Sequence, residues 1–335
     1  MLSLEYKYAD THVRKHSMKI FITGADGFIG QHLVERLKGE HTLEFLSHDL
    51  RNHESVREQV QEFDPEIIVH LAARTEVEQS FYEQITFSDI NYTGTVNLIE
   101  AAKDLPNLKN FVFASTMEVY GWQPISDAIK AGKEDYIFAF DETTSPNPNA
   151  PYAVAKYACE KYLEYAHRSY GLPFTAIRQT NAYGRKDNNF FVTEQIIYQM
   201  LTDPHTIYLG YGEPYRNFIF IDDLLDAWQA VIENPEKCAG EIFCIGPDNA
   251  IKIKDYVDII AKKLDWLGLV EWDTKPKRPG EIYLLNSTPK KIKEKLGWSP
   301  KVSLSEGVDR TIDIWRNIIE NNLPFKQSVK RGPNS

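Results

Sequence analysis

The chain has 335 residues, 26% of them charged and 42% hydrophobic, with a net charge of −10. That length suits two lobes better than one simple core, and the composition is that of a globular enzyme. The acidic balance argues against nonspecific nucleic-acid binding. No apolar run reaches the length of a membrane span and residues 1–17 carry no signal-peptide core, so neither a membrane nor export is expected and a cytoplasmic location is. Cys159, Cys238 and Cys244 show no CxxC pairing and no histidine at metal-ligand spacing. They are read as buried small apolar residues, and no disulfide or metal site is expected.

Residues 1–17 form a mixed-charge extension expected to be loosely ordered, with Met18 as the start of the fold. Lys19–Thr23 is a short β-branched strand stopped by Gly24. The following GADGFIGQHLVERL switches to helical periodicity, with Phe28, Ile29, Leu33, Val34 and Leu37 on one face. Gly24, Gly27 and Gly30 therefore sit in a strand-to-helix turn. There the first glycine permits the turn, the second lets backbone approach a pyrophosphate and the third allows helix to pack on strand. Gly24, Gly27, Phe28, Ile29 and Gly30 are thus expected to hold a dinucleotide.

A second strand, residues 43–47, leads to Asp49, which follows Gly30 at about the 20-residue spacing of a ribose-binding carboxylate. Alternatively Asp49 and Leu50 cap the adenine pocket, and Ser47 and His48 stand beside the ribose. His48 and Arg51 would then tolerate a 2′-phosphate, so NAD is expected with NADP left open. Residues 67–71 read as a buried strand ending in Ala72 and Ala73, whose small size lets Leu71, Ala72 and Ala73 approach the cofactor. Asn91 stands near the entrance of the next helix, where it serves the site or merely caps the helix. A strand over residues 109–114 then delivers Ser115 and Thr116 to its carboxyl end, the edge where open parallel sheets bind ligands.

Tyr152 and Lys156 are i and i+4 on one helix face. A lysine ammonium beside a phenol favours the phenolate, so Lys156 is expected to lower the Tyr152 pKa towards that of a working acid/base. The connection from Gly121 to Pro151 is long, and is either a substrate-contacting lid or a surface excursion. Beyond the Tyr152 helix come a strand over residues 175–178 and segments IFIDDLLDAWQAVIE and EIFCIG that rejoin the first lobe. Two closing helices and a polar tail from Phe325 follow.

The motifs TGADGFIG, HLAAR, STMEVYG, YAVAK, RQTNAYG, YRNFIFIDD and RPGE occur in this order. In this the chain resembles the extended short-chain dehydrogenase/reductases of the nucleotide-sugar epimerase/dehydratase family over nearly all of its length after Met18. The resemblance implies an α/β fold: a Rossmann-type doubly wound parallel sheet with a smaller C-terminal α/β substrate-binding lobe. On that reading residues 18–180 and a return segment of about 219–246 bind NAD(P), while residues 181–218 and 247–330 bind a nucleoside-diphosphate sugar. It also implies Tyr152 as acid/base, Lys156 as its partner and a ribose ligand, Thr116 as the hydroxyl on the reacting sugar oxygen, and Ser115 behind them beside the cofactor. Asn181 matches the asparagine that touches the sugar nucleotide. Arg216 and Arg278 match the arginines that grip the diphosphate, and Arg185, where a proline is usual, either adds a substrate-binding cation or is a solvated loop residue. Many members dimerise through first-lobe helices. A homodimer is therefore expected, with Ala155, Cys159, Tyr162 and Leu163 of the Tyr152 helix permitting it.

The reaction type turns on two residues. The resemblance implies oxidation at the sugar C4 with Tyr152 as base. In the 4,6-dehydratases a glutamate at the position of Glu118 then removes the C5 proton, water leaves C6 and hydride returns there. Met117 stands where the dTDP-glucose branch has an aspartate; the GDP-sugar branches also lack it, and there one glutamate serves both steps. A 4,6-dehydratase is therefore expected, with a 4-epimerase as the alternative. A UDP-glucuronate decarboxylase, an NADPH-dependent ketosugar reductase and a non-catalytic NAD(P)-binding sensor follow. Thr116, Tyr152 and Lys156 together argue against the sensor.

Overall fold

The computed structural model describes residues 17–133 and 138–327. Almost all of the expected N-terminal extension, the end of the polar tail and four residues of the long connection lie outside the described residues. The central sheet contains β1 (Lys19–Thr23), β2 (Thr42–Phe45), β3 (Ile67–His70), β4 (Asn110–Thr116), β5 (Phe174–Gln179) and β6 (Glu241–Ile245). All six are parallel, in the order β6-β5-β4-β3-β1-β2. The direction of winding reverses between β1 and β3, and a crevice opens there beyond the carboxyl ends of the strands.

Strand residues alternate between two cores, as the period of two requires. Ile20, Ile22, Ile67, Val69, Val112 and Ile177 face helices α1 (Phe28–Leu37) and, further along the chain, Ile221–Ile232. Phe21, Ile68, Phe111, Phe113 and Ala176 face α2 (His53–Phe63), α3 (Gly94–Ala102) and α4 (Pro151–Tyr170). The sheet is therefore doubly wound. The first of these cores runs on without a break into the smaller lobe, through Ile196 and Ile197 of α5 (Val192–Thr202) and Tyr256, Ile312 and Trp315 beyond. This shared core fastens the C-terminal elements to the sheet.

Three local features depart from the sequence reading. β4 runs through Ser115 and Thr116, each paired with β5 (Ser115 with Arg178, Thr116 with Gln179), so those two side chains are set by the ladder and not by a loop. The long connection contains a two-turn helix, Pro124–Lys130. Phe140 is buried and stacks on Tyr120, and its amide donates to the Asn286 carbonyl. The described part of this connection braces the turn beneath the cleft and contributes nothing to the cleft wall.

The third departure concerns α4. Ala155, Cys159 and Leu163, expected at a dimer surface, are buried inside the protomer, the last two in the core shared with α3. A twenty-residue helix crossing the sheet has its apolar stripe occupied by that crossing, so the stripe is not free for a second copy. All three cysteines are buried free thiols.

Candidate active site

The glycine turn is built by contact. Gly24 adopts φ +72, and a Cβ there would stand 2.7 Å from the Ala72 nitrogen; a Cβ on Gly30 would stand 2.1 Å from the Gly24 carbonyl. The first distance shows the end of β3 lying against the turn, and the second shows α1 lying on it. Thr23 closes the junction: its Oγ1 accepts from the Ala72 amide at 3.2 Å and lies 2.6 Å from His70 Nδ1, and His70 Nε2 lies 2.8 Å from Thr95 Oγ1. Burial holds His70 well below its usual pKa, so it acts as a neutral strut. The helix α1 begins with Gly27 as an uncapped N-cap and has no acid in its first turn. Free amides at the positive end of a helix dipole, over a surface that only glycines permit, fit a pyrophosphate. The residues present therefore fit a dinucleotide.

A cleft of about 900 Å³ runs from this turn to the smaller lobe. Its wall brings together Gly24, Gly27, Phe28, Ile29, Gly30, Leu71, Ala72, Ala73, Ser115, Thr116, Glu118, Tyr152, Lys156, Asn181, Arg185, Arg216 and Arg278. Two expected residues are not brought in. Asp49 is an exposed residue whose carboxylate takes Arg51 Nε at 3.0 Å and Nη2 at 2.6 Å. Those hydrogen bonds lower its pKa to about 2. Leu50 is buried, against the site of a Cβ on Gly94. Arg51 is exposed, paired with Asp49 at 2.6 Å and 3.5 Å from Asp89.

The catalytic end is organised by one face of α4. Tyr152, Lys156 and Glu160 lie at i, i+4 and i+8, all buried. Lys156 Nζ donates to the Ala114 carbonyl at 2.7 Å and lies over the Phe113 ring. Glu160 accepts from Ser115 Oγ and forms a two-point pair with Arg178, at 3.0 and 2.7 Å. Arg178 also donates to the Tyr120 hydroxyl at 2.8 Å, and Tyr120 donates to the Asp141 carbonyl at 2.6 Å. The sequence reading missed Glu160 and Arg178. A glutamate continuing the Tyr152–Lys156 stripe into an apolar stretch was the available signal, because such a charge is buried only when paired.

Thr116 caps the short helix Met117–Tyr120, accepting from the Glu118 amide at 3.2 Å. Across the cleft Glu281 binds both cations: Arg216 Nη2 at 2.8 Å, Arg278 Nε at 3.1 Å and Arg278 Nη2 at 3.0 Å. Burial raises the Glu118 pKa, partly offset by Arg278 and Arg216. Asn91, read as a possible cap, lies inside the π-helical turn Asp89–Thr93 and is buried. Its amide exchanges hydrogen bonds with the Arg74 backbone at 2.8 and 2.9 Å, which fixes the chain leaving β3.

The expectation that Lys156 depresses Tyr152 is corrected in the free protein. Burial and the nearby Glu118 push the phenol above its usual value, with Thr116 opposing through a hydrogen bond, while burial brings Lys156 down to about 8. The ammonium donates to the Ala114 carbonyl.

A family model described as GDP-mannose 4,6 dehydratase matches residues 38–311. A UDP-glucose 4-epimerase of Mycolicibacterium smegmatis is 30% identical over 327 residues, spanning 90% of this chain and 99% of the relative. A dTDP-glucose 4,6-dehydratase of Streptomyces niveus is also 30% identical, over 332 residues, spanning 90% and 93%. Among solved structures, the Thermus thermophilus UDP-glucose 4-epimerase in complex with NAD superposes with a TM-score of 0.77 at 28% identity, covering 89% of this chain and 99% of that one.

In the ligand-free protein, a raised pKa means that Tyr152 stays protonated at neutral pH and ionises only above the ordinary tyrosine range. An ultraviolet pH titration of wild type against Tyr152→Phe should show no difference phenolate signal below about pH 10; a phenolate near neutrality would contradict this assignment.

Proposed function

The chain belongs to the family of NAD-dependent nucleotide-sugar epimerases and dehydratases, extended short-chain dehydrogenase/reductases, and on that premise we propose that it is a nucleoside-diphosphate-sugar 4,6-dehydratase. The observation that carries this reading is Glu118, a carboxylate on the cleft wall beside Tyr152 whose pKa burial raises. A 4-epimerase needs acid/base chemistry only at the C4 oxygen. An additional acid/base group, a carboxylate perturbed towards neutrality, suits removal of a carbon-bound proton.

The chemistry supplied by bound NAD is reversible hydride acceptance, from the sugar C4 and back to C6. Gly24, Gly27, Phe28, Ile29 and Gly30 would hold its pyrophosphate, Leu71, Ala72, Ala73 and Ser115 would border it, and Lys156, with two ammonium hydrogens left after Ala114, would serve the ribose. Asp49 would accept from an adenosine ribose with the acceptor capacity that its bonds to Arg51 leave. Arg216 and Arg278 bind the substrate diphosphate, for which a planar fork is suited, and Glu281 keeps the two guanidinium groups together until it arrives. Asn181 contacts the sugar nucleotide.

Tyr152, neutral in the ligand-free protein, would be drawn towards the phenolate by the positive charge of a bound oxidised nicotinamide, and then takes the proton of the C4 hydroxyl while Thr116 holds that oxygen. Glu118 then takes the C5 proton, which the 4-keto group has made acidic. Departure of the C6 hydroxyl needs a proton, and Glu118 returns the one it has taken, so that water leaves and a C5–C6 double bond forms; when hydride adds at C6, Glu118, reprotonated from solvent, gives a proton to C5, and Tyr152 releases the O4 proton to solvent. A carboxyl group with an elevated pKa can serve in both directions, which suits a site where Met117 is buried and apolar. Met117 is also what favours the second reading, 4-epimerisation, because that loop offers no other acid.

The protein is further proposed to be a homodimer. The surface for it is the outer face of α4, where Val154 and Tyr165 are exposed, together with the short helix Gln84–Ser88 packed on α4, where Ile85 is 86% exposed. Sedimentation should give a dimer for wild type and a monomer for Ile85→Glu; an unshifted dimer would exclude this face.

Glu118→Gln should bind NAD and nucleotide sugar as wild type does, and lose dehydration by about a hundredfold or more. Dehydration at the wild-type rate would remove Glu118 from the mechanism.

A further inference from the structure

Arg185 occupies an unusual position for a cation. It follows Gly184, whose φ is +104, and its backbone is pinned by Glu194: both the Gly184 and Arg185 amides donate to Glu194 Oε1 at 3.0 Å. The residue is 8% exposed. Its guanidinium is sandwiched between two rings, 4.2 Å from the Phe28 centroid and 3.8 Å from that of Phe191. Nη1 donates to the Ala182 carbonyl, and Glu194 Oε2 stands 3.7 Å from Nη1. Arg185 Nε and Glu194 Oε2 are both buried with no hydrogen-bond partner, and no described residue accepts from Nη2.

A buried guanidinium normally satisfies its five donors, and leaving them unmet costs free energy. Stacking between two aromatic rings supplies cation–π attraction and orients the plane, but it satisfies no N–H. The group is therefore held in place while its donors are kept for something else. Phe28 identifies the direction. It is the first residue of α1, in the glycine turn whose free amides fit a pyrophosphate, and Phe28, Arg185 and Phe191 line the same cleft.

We propose that Arg185 is a cofactor-positioning residue: its guanidinium, seated on Phe28, supplies the fixed positive charge that complements the α1 amides around the dinucleotide pyrophosphate. This rests on the family reading above and assigns Arg185 to the cofactor end of the cleft in place of the sugar-nucleotide end. Glu194 holds the Arg185 backbone through its other oxygen and is too far, at 3.7 Å, to compete fully for the head group. A cofactor regenerated in each turnover benefits from a slow exit, and a preordered guanidinium slows it by strengthening contacts at little entropic cost.

The test measures binding and not turnover. Isothermal titration of nucleotide-free protein with NAD, and separately with UDP, dTDP and GDP, would compare wild type with Arg185→Met, Arg185→Gln and Arg185→Lys. The expected result is NAD binding weaker by about tenfold to a hundredfold in the two neutral variants, with partial recovery in Arg185→Lys and unchanged nucleoside-diphosphate binding. The wild-type NAD affinity should also fall more steeply with ionic strength than that of the neutral variants. Arg185→Gln keeps a donor for the Ala182 carbonyl and serves if Arg185→Met does not fold. Wild-type NAD affinity in a folded neutral variant, or a loss confined to the nucleoside diphosphate, would overturn the proposal. Wild-type protein that bound no NAD would instead overturn the family reading.

Discussion

The buried pair between Glu160 and Arg178 sets the register of the whole catalytic end. Glu160 lies two turns beyond Tyr152 on α4, and Arg178 lies on β5 directly opposite Ser115 of β4. With Lys156 bonded to the Ala114 carbonyl and Glu160 bonded to Ser115, the helix is fastened to the strand at consecutive residues. Tyr152 is thereby placed over Thr116, the next residue of the strand. Arg178 reaches on to Tyr120 and so fixes the turn that carries Glu118. Such a pair adds little to stability compared with apolar packing, but leaving either charge buried alone costs about 3–5 kcal/mol. Helix, strand and turn therefore cannot slide past one another without a large penalty.

The cofactor end has a different basis. There the constraint is steric: Gly24 against Ala72 and Gly30 against Gly24 leave room for backbone alone. The two ends meet at the β1–β3 reversal, where neutral His70 spans Thr23 and Thr95. Across the cleft, Glu281 holds two arginines together as a partly neutralised, still cationic cluster near Glu118. On the proposed reading, an arriving diphosphate would compete with Glu281 for the same guanidinium donors. This couples substrate binding to the charge felt by Glu118, because Arg216 and Arg278 are the groups that counter its burial.

Much of this was legible in the sequence because it is local. The strand, glycine turn and helix at residues 19–37, the i, i+4 spacing of Tyr152 and Lys156 and the small residues after β3 all follow from periodicity and side-chain size. What was not legible depends on distant partners. Arg178 is one residue in an ordinary strand until Glu160 is seen beside it, and nothing near Lys156 announces that its ammonium turns to Ala114. Asn91 lies in a π-helical turn that no pattern of apolar residues marks. The α4 face expected at a dimer surface was misassigned because a helix with one apolar stripe does not say which neighbour covers it. Asp49 stands at the expected spacing, yet Arg51, two residues on, takes its carboxylate.

The central claim is that Glu118 extends the chemistry from C4 to C5 and C6. Its most direct test is incubation of the wild-type protein with UDP-, GDP-, CDP- and dTDP-hexoses in deuterated water, with the products read by mass and by proton resonance. The account predicts, for one of them, loss of one water with a solvent deuteron at C5. An unchanged mass with no carbon-bound deuterium and an inverted C4 would contradict it and make the enzyme a 4-epimerase.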